Sequence, residues 1–98
     1  MSVVIVGGNE CMVRRYKDVC REYHCDAKVI VKMNAGIRDL GQTDLLVLFT
    51  NTVSHKMVSC ALNGVKGQNT CIERCHTSSI SALRNILNQH VNLEAAHV

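Results

Sequence analysis

The chain has 98 residues, which suits one globular domain, and its hydrophobic fraction of 47% excludes a disordered chain. It carries 11 Lys and Arg residues against 8 Asp and Glu residues, so the net charge is only +3 with histidine neutral. This mild charge and the scarcity of aromatic residues (two Tyr, one Phe and no Trp) argue against a nucleic-acid partner.

The first half of the chain predicts two strands with a helix between them. Residues 3–6 are all β-branched, a run that is typical of a strand buried on both faces of a parallel sheet. After a glycine pair, residues 10–23 carry apolar side chains at helical spacing. A second strand is predicted over 28–33, and the loop after it has room for one helical turn at 37–40.

The second half repeats this alternation. Residues 44–49 predict a third buried strand, because leucine and valine follow one another without interruption. A polar loop then caps a helix predicted over 54–65. Residues 70–75 alternate in character and predict an edge strand, and a last helix is expected over 79–91.

This order of elements predicts a three-layer α/β fold of the Rossmann-like or flavodoxin-like kind. Its sheet should be small, parallel and four-stranded, with strand order 2-1-3-4 and right-handed crossovers between helices on its faces. Residues 1–91 are expected to form the single domain, and residues 92–98 a C-terminal tail.

The sequence predicts a cytoplasmic protein that does not enter a membrane. No apolar run approaches the roughly 20 residues that span a bilayer. The N-terminus has neither the basic region nor the long apolar stretch of a signal peptide. The six cysteines are therefore expected to be reduced thiols, and their spacings give none of the paired C-x2-C knuckles of a structural zinc site.

Three polar segments should meet at the carboxyl edge of this sheet, where ligands bind in open α/β folds. Each segment leads into the N-terminus of a predicted helix, which favours an anionic group. The alternative is that the glycines form a tight turn and the hydroxyls merely cap helices. The candidate binding residues for a small molecule or cofactor are Gly7, Gly8, Asn9, Asn51, Ser54, His55, His76, Thr77 and Ser78.

Histidine and cysteine at the same edge add metal or haem as candidate cofactors. His55 and His76 should each lie at or just before a helix start, and Cys75 adjoins His76. Neutral imidazole and thiolate are ligands of transition metals, and imidazole also binds haem iron. A second possible metal cluster is formed by Cys20, His24 and Cys25, although a coincidence of surface residues would give the same pattern.

The common nucleotide-binding motifs do not occur. Residues 7–11 read Gly-Gly-Asn-Glu-Cys, which is not G-x-G-x-x-G, and no G-K-[ST] follows. A standard dinucleotide or Walker-type site is therefore not expected at the first turn.

Three short motifs in order resemble a bacterial family known as domain of unknown function 2325. They are Val6-Gly7-Gly8, Val53-Ser54-His55 and residues 74–79, Arg-Cys-His-Thr-Ser-Ser, and the resemblance covers about residues 3 to 88. It implies a small α/β domain. It also implies a site built from Gly7, Gly8, Ser54, His55 and Ser78, whereas His76 matches only the short, free-standing members.

The leading interpretation is a non-enzymatic domain that binds a small ligand or cofactor, with His55 as its chief polar contact or as a ligand of iron or another metal, and His76 as the second. A second interpretation is a homodimeric interaction module that buries an apolar edge strand or helix face. A third is a redox sensor or enzyme that uses Cys75 as a reactive thiol, since a nearby helix N-terminus lowers the pKa of a thiol.

Overall fold

The computed structural model describes residues 1–32 and 40–95, the last four of these as backbone only. Its elements in chain order are β1 (Ser2–Val6), a 3-10 turn (Glu10–Met12), α1 (Val13–Glu22), β2 (Asp26–Ile30), β3 (Leu45–Phe49), α2 (His55–Gly64), β4 (Cys71–Cys75) and α3 (Ile80–Ala95).

The four strands form one parallel sheet in the order β2-β1-β3-β4, which confirms the predicted topology. Within it, Val6 of β1 lies opposite Ile30 of β2 on one side and opposite Leu48 of β3 on the other. The two apolar runs therefore form the sheet centre. All of Leu45–Phe49 is buried, as a strand covered on both faces requires.

The two faces of the sheet are covered unequally. Helices α1 and α3 lie on one face, hereafter the α1/α3 face, where they pack Tyr16, Leu83 and Leu87 against alternate residues of β1 and β3. Helix α2 packs Met57 and Ala61 on the other face, the α2 face. The alternation of side chains along each strand assigns every residue to one of these faces.

The largest differences from the predicted boundaries lie in three elements. Strand β2 begins at Asp26, two residues before its predicted start, because Ser2 of β1 lies opposite it, and it ends at Ile30, three residues before its predicted end. The first helix opens with the 3-10 turn rather than an α-helical one. Helix α3 continues to Ala95, beyond the predicted end at residue 91. The turn predicted over 37–40 falls largely outside the described residues.

Helix α1 ends at a left-handed residue that is not glycine. His24 has φ of 59°, its N–H donates to the carbonyl of Arg21, and the N–H of Cys25 donates to the carbonyl of Cys20. This pair of hydrogen bonds is the Schellman motif, whose left-handed position usually holds glycine. His24 therefore has a backbone role in ending α1, and this role does not involve its imidazole.

Among the helices that the structure describes, none is both long enough and apolar enough to cross a lipid bilayer.

Candidate functional site

The two glycines after β1 make room for other parts of the same chain. Gly7 and Gly8 have φ of 101° and 91°, which L side chains rarely adopt. A Cβ on Gly7 would lie 2.6 Å from Cγ1 of Val53, and one on Gly8 would lie 2.7 Å from the ring of Tyr16. The space that the glycines leave open is therefore filled by Val53 and Tyr16.

Polar groups of this first loop also bond within the chain. The amide of Gly8 donates to Oγ1 of Thr52 at 2.7 Å. The side chain of Asn9 accepts from the amide of Cys11 and so caps the 3-10 turn. The loop after β1 thus shows the turn and cap roles that were the alternative to ligand binding, and these contacts connect it to the loop after β3.

The hydroxyl of Tyr16 joins the loops that follow β1 and β4. It donates to the carbonyl of Ser78 at 2.6 Å and accepts from the amide of Asn9 at 3.4 Å. Its ring is fully buried and lies 5.5 Å, centroid to centroid, from the ring of Phe49. One side chain of α1 therefore fixes the spacing of two loops at the carboxyl edge.

The loop after β3 meets the end of β4. The amide of Thr50 donates to the carbonyl of Cys75 at 2.8 Å, and Oγ1 of Thr50 lies 3.0 Å from Nδ1 of His76. Ser54 then caps α2 by accepting from the amide of Met57. The predicted meeting of the three segments is observed, although Asn51 and Thr77 lie at its exposed rim.

A cavity of about 300 Å³ opens on the α2 face of this edge. Val53 and Val58 form apolar walls, while Thr50, His55 and Arg74 supply polar groups. Arg74 reaches this face because it lies opposite Leu48, whose side chain packs in the α2-side core. No ion pair joins Arg74 to any residue within 1–32 or 40–91, so its charge is available to a ligand.

His55 is the candidate residue from the sequence that lines this cavity. Thr50, Val53, Val58 and Arg74 were not among the predicted site residues. The alternation in β4 was the signal that could have found Arg74, since it assigns residues 72 and 74 to one face. Val58 belongs to the apolar side of α2 that packs on the sheet, but a helical pattern does not show which of its members border an opening.

A second, more open depression of about 460 Å³ lies at the opposite edge of the sheet. Its polar side chains hold the chain together. The side-chain amide of Gln68 accepts from the amide of Thr43 at 2.8 Å and donates to the carbonyl of Gly41 at 2.7 Å. Asp44 accepts from the amide of Ser2. These contacts position the start of β3, which is a structural role.

The structure separates the three predicted metal ligands. Cys75 packs against the α1/α3-side core, whereas His55 lines the cavity on the α2 face. His76 contacts Thr50. Within the described part of the chain, no three His, Cys, Asp or Glu residues lie close enough to hold a metal ion. The haem, metal and reactive-thiol hypotheses stay predictions.

The cysteines near the end of α1 suit a core better than a metal site. Cys20 is fully buried, and burial, with a smaller contribution from Cys25, raises the pKa of its thiol to about 12. A thiol must lose its proton to bind a metal, so burial opposes this role. His24 beside them is exposed and fills the left-handed turn.

One of three comparisons with known proteins finds a match. No curated protein and no solved structure matches the chain. A family model described as uncharacterized protein conserved in bacteria (DUF2325) matches residues 2–90, which is most of the chain. The chain therefore belongs to the DUF2325 family.

Proposed function

We propose that this chain binds a small molecule that combines an anionic group with an apolar part. The observation that carries this proposal is the cavity in which Arg74 and His55 stand beside Val53 and Val58. Ligand sites are typically concave and mostly apolar, with a few polar groups that fix orientation.

The preference for an anion comes from charge and from backbone dipoles. Arg74 carries a permanent positive charge at the cavity, and α2 begins there with His55. The first N–H groups of a helix have no acceptor within the helix, and the dipole makes this end partially positive. A carboxylate, sulfonate or phosphate between Arg74 and the start of α2 would meet both.

The apolar walls limit the size and character of the ligand. Val53 and Val58 are half-buried and offer aliphatic surface. A fully polar ion would leave that surface without an apolar partner. The volume of about 300 Å³ lies at the lower end of the range for ligand pockets. These features favour a compact aromatic or aliphatic acid.

Haem is the second candidate and belongs to the same chemical class. It combines an apolar ring with two carboxylates, and one imidazole is enough to bind its iron. His55 at the cavity supports this candidate. A haem-sized ring would extend beyond the cavity, so part of the ring would stay exposed to water.

A fluorescent anion tests the proposal directly. Anilinonaphthalene sulfonate carries a sulfonate on an apolar body, and its emission rises when it leaves water. We expect saturable binding by the full chain and about tenfold weaker binding after Arg74→Gln, which removes a charge-assisted hydrogen bond. Arg21→Gln, at an exposed position on α1, is the matched control and should bind as the parent does.

Haem is tested with the same variants by adding haemin and recording visible spectra. A haem-bound protein would show a sharp band that disappears after His55→Ala and persists after His24→Ala, which removes an exposed imidazole elsewhere. Equal binding of both probes by the parent, Arg74→Gln and His55→Ala would refute the proposed site.

A further inference from the structure

Strand β4 presents an unpaired edge to solvent. The amide of Cys71 donates to Asp44, and the carbonyl of Cys75 accepts from Thr50, so the backbone groups of residues 71, 73 and 75 face β3. The N–H and C=O groups of Ile72 and Arg74 consequently point away from the sheet. No strand within the described residues pairs with this side of β4.

The side chains of β4 leave this edge accessible. Ile72 is 44% exposed and is one of two large hydrophobic residues exposed to this degree in the described part of the chain. Cys71 is exposed on the α1/α3 face. The carboxylate of Glu73 already has a partner within the chain, because it lies 2.8 Å from Nε2 of His90. An unpaired edge with an exposed apolar residue is a template for another strand.

We propose that a second copy of this chain adds its β4 antiparallel to this edge, with Glu73 at the two-fold axis. This register pairs all five residues of Cys71–Cys75 with those of the second copy. Ile72 of each copy then lies opposite Arg74 of the other, and the two sheets join into one of eight strands. The inference does not depend on what the cavity binds.

This register pairs the outward backbone groups of the two copies with one another. In an antiparallel pair, alternate opposite residues exchange both N–H and C=O hydrogen bonds. Ile72 and Arg74 are the residues of β4 whose groups are outward, and this register makes them opposite partners. The aliphatic part of each Arg74 side chain would cover Ile72 of the other copy, while its guanidinium remains at the cavity.

The same register places two carboxylates at the axis. Like charges directly opposite each other destabilise a strand pair. Each Glu73 already has its own His90 at 2.8 Å, and that contact offsets part of the repulsion. The axis would then hold two carboxylates and two imidazoles, all on the α1/α3 face.

Cysteines report this register because Cys71 of one copy lies opposite Cys75 of the other. Opposite residues that do not exchange hydrogen bonds have Cα atoms about 4.5 Å apart, within the range that a disulfide bridges. Within one chain the two residues are about 13 Å apart along the strand and cannot bond.

Complementation between two variants is the decisive experiment. Copper phenanthroline accepts the two electrons from two thiols, which lose two protons and form one disulfide. In a Cys11→Ser, Cys60→Ser background, neither Cys71→Ser nor Cys75→Ser alone should form a covalent dimer. A mixture of the two variants should form a covalent dimer, because Cys75 of the first variant then lies opposite Cys71 of the second.

Each outcome of that experiment is informative. A covalent dimer in the mixture alone supports the proposal, and its absence there overturns the proposal. A covalent dimer of Cys75→Ser alone would place the two copies of Cys71 opposite each other, and one of Cys71→Ser alone would do so for Cys75. Either result would overturn the register centred on Glu73. Circular dichroism of each variant establishes that it is folded before oxidation.

Sedimentation of the reduced full chain gives an independent measurement. We expect a monomer–dimer equilibrium whose dissociation constant rises at least tenfold after Ile72→Lys, since a lysine would face Arg74 of the second copy. Asp26→Lys adds a lysine to β2 at the opposite edge and should leave dimerisation unchanged. A strictly monomeric parent at millimolar concentration would overturn the proposal.

Discussion

The two outer strands of the sheet occupy equivalent positions but have different chemistry. On the α2 face, β2 presents Lys28 opposite Val4, whereas β4 presents Ile72 opposite Leu46. Lys28 is exposed, and lysine on an edge strand discourages the addition of another strand. Ile72 has no such effect. One edge of the sheet therefore presents a cation where the other exposes an apolar side chain, and the charged residues of β4 follow only at Glu73 and Arg74.

Among the predicted changes, removal of the buried side chain that supports β4 should lower the free energy of unfolding most. Phe49 is fully buried and lies opposite Cys75, so Phe49→Ala should lower the free energy of unfolding by about 4 kcal/mol. Val29→Ala in β2 removes a half-buried side chain and should cost about 1 kcal/mol. Urea unfolding of both variants measures the difference, and equal losses would contradict it.

A smaller effect is expected where Tyr16 ties the end of β4 to the first loop. Tyr16→Phe keeps the ring but leaves the carbonyl of Ser78 without its donor, which should cost about 2 kcal/mol. Tyr23→Phe is the matched control, because its hydroxyl bonds an exposed Asn88 and its loss should cost at most about 0.5 kcal/mol. Urea midpoints that fall equally would remove the special role of Tyr16.

On the side of β2, the left-handed turn at His24 offers a stabilising change. His24→Gly should raise the free energy of unfolding by about 1 kcal/mol, because glycine adopts φ of 59° without a Cβ clash. His24→Ala keeps the Cβ and should give no such gain. Thermal unfolding distinguishes the two, and equal melting temperatures would show that the turn is not strained.

Exchange of the two edge residues should have the smallest effect on stability and the clearest effect on association. Ile72→Lys at micromolar dilution should change the free energy of unfolding by less than about 0.5 kcal/mol, since the side chain is substantially exposed. Lys28→Ile should increase self-association at high concentration, as light scattering would show. A stability loss of several kcal/mol after Ile72→Lys would mean that β4 depends on Ile72 for its own packing.

The sheet could be predicted from the sequence because its central strands carry an unambiguous signal. The uninterrupted apolar runs of β1 and β3 are short and rich in β-branched residues or leucine, which is typical of strands covered on both faces, and helical spacing located the covering elements. The predicted start of β2 was two residues too late. The strand begins where it pairs with Ser2, and a local sequence pattern does not contain that contact.

The candidate site was predicted less completely, for a physical reason. The meeting of three loops follows from topology, and the structure shows it. The cavity depends instead on which face a side chain points to and on what α2 leaves uncovered. Arg74 and Val58 come together only across β4 and α2, so no spacing in the sequence relates them.

The central position of β1 has consequences while the chain is being synthesised. Residues Val3 to Val6 are synthesised before their partners in β3, which follow about 40 residues later. At the usual rates of synthesis that interval is about 2 to 8 s. For that time, β1 exposes four adjacent β-branched residues of the kind that aggregate. A chaperone that binds short apolar segments would find its most persistent target at this strand.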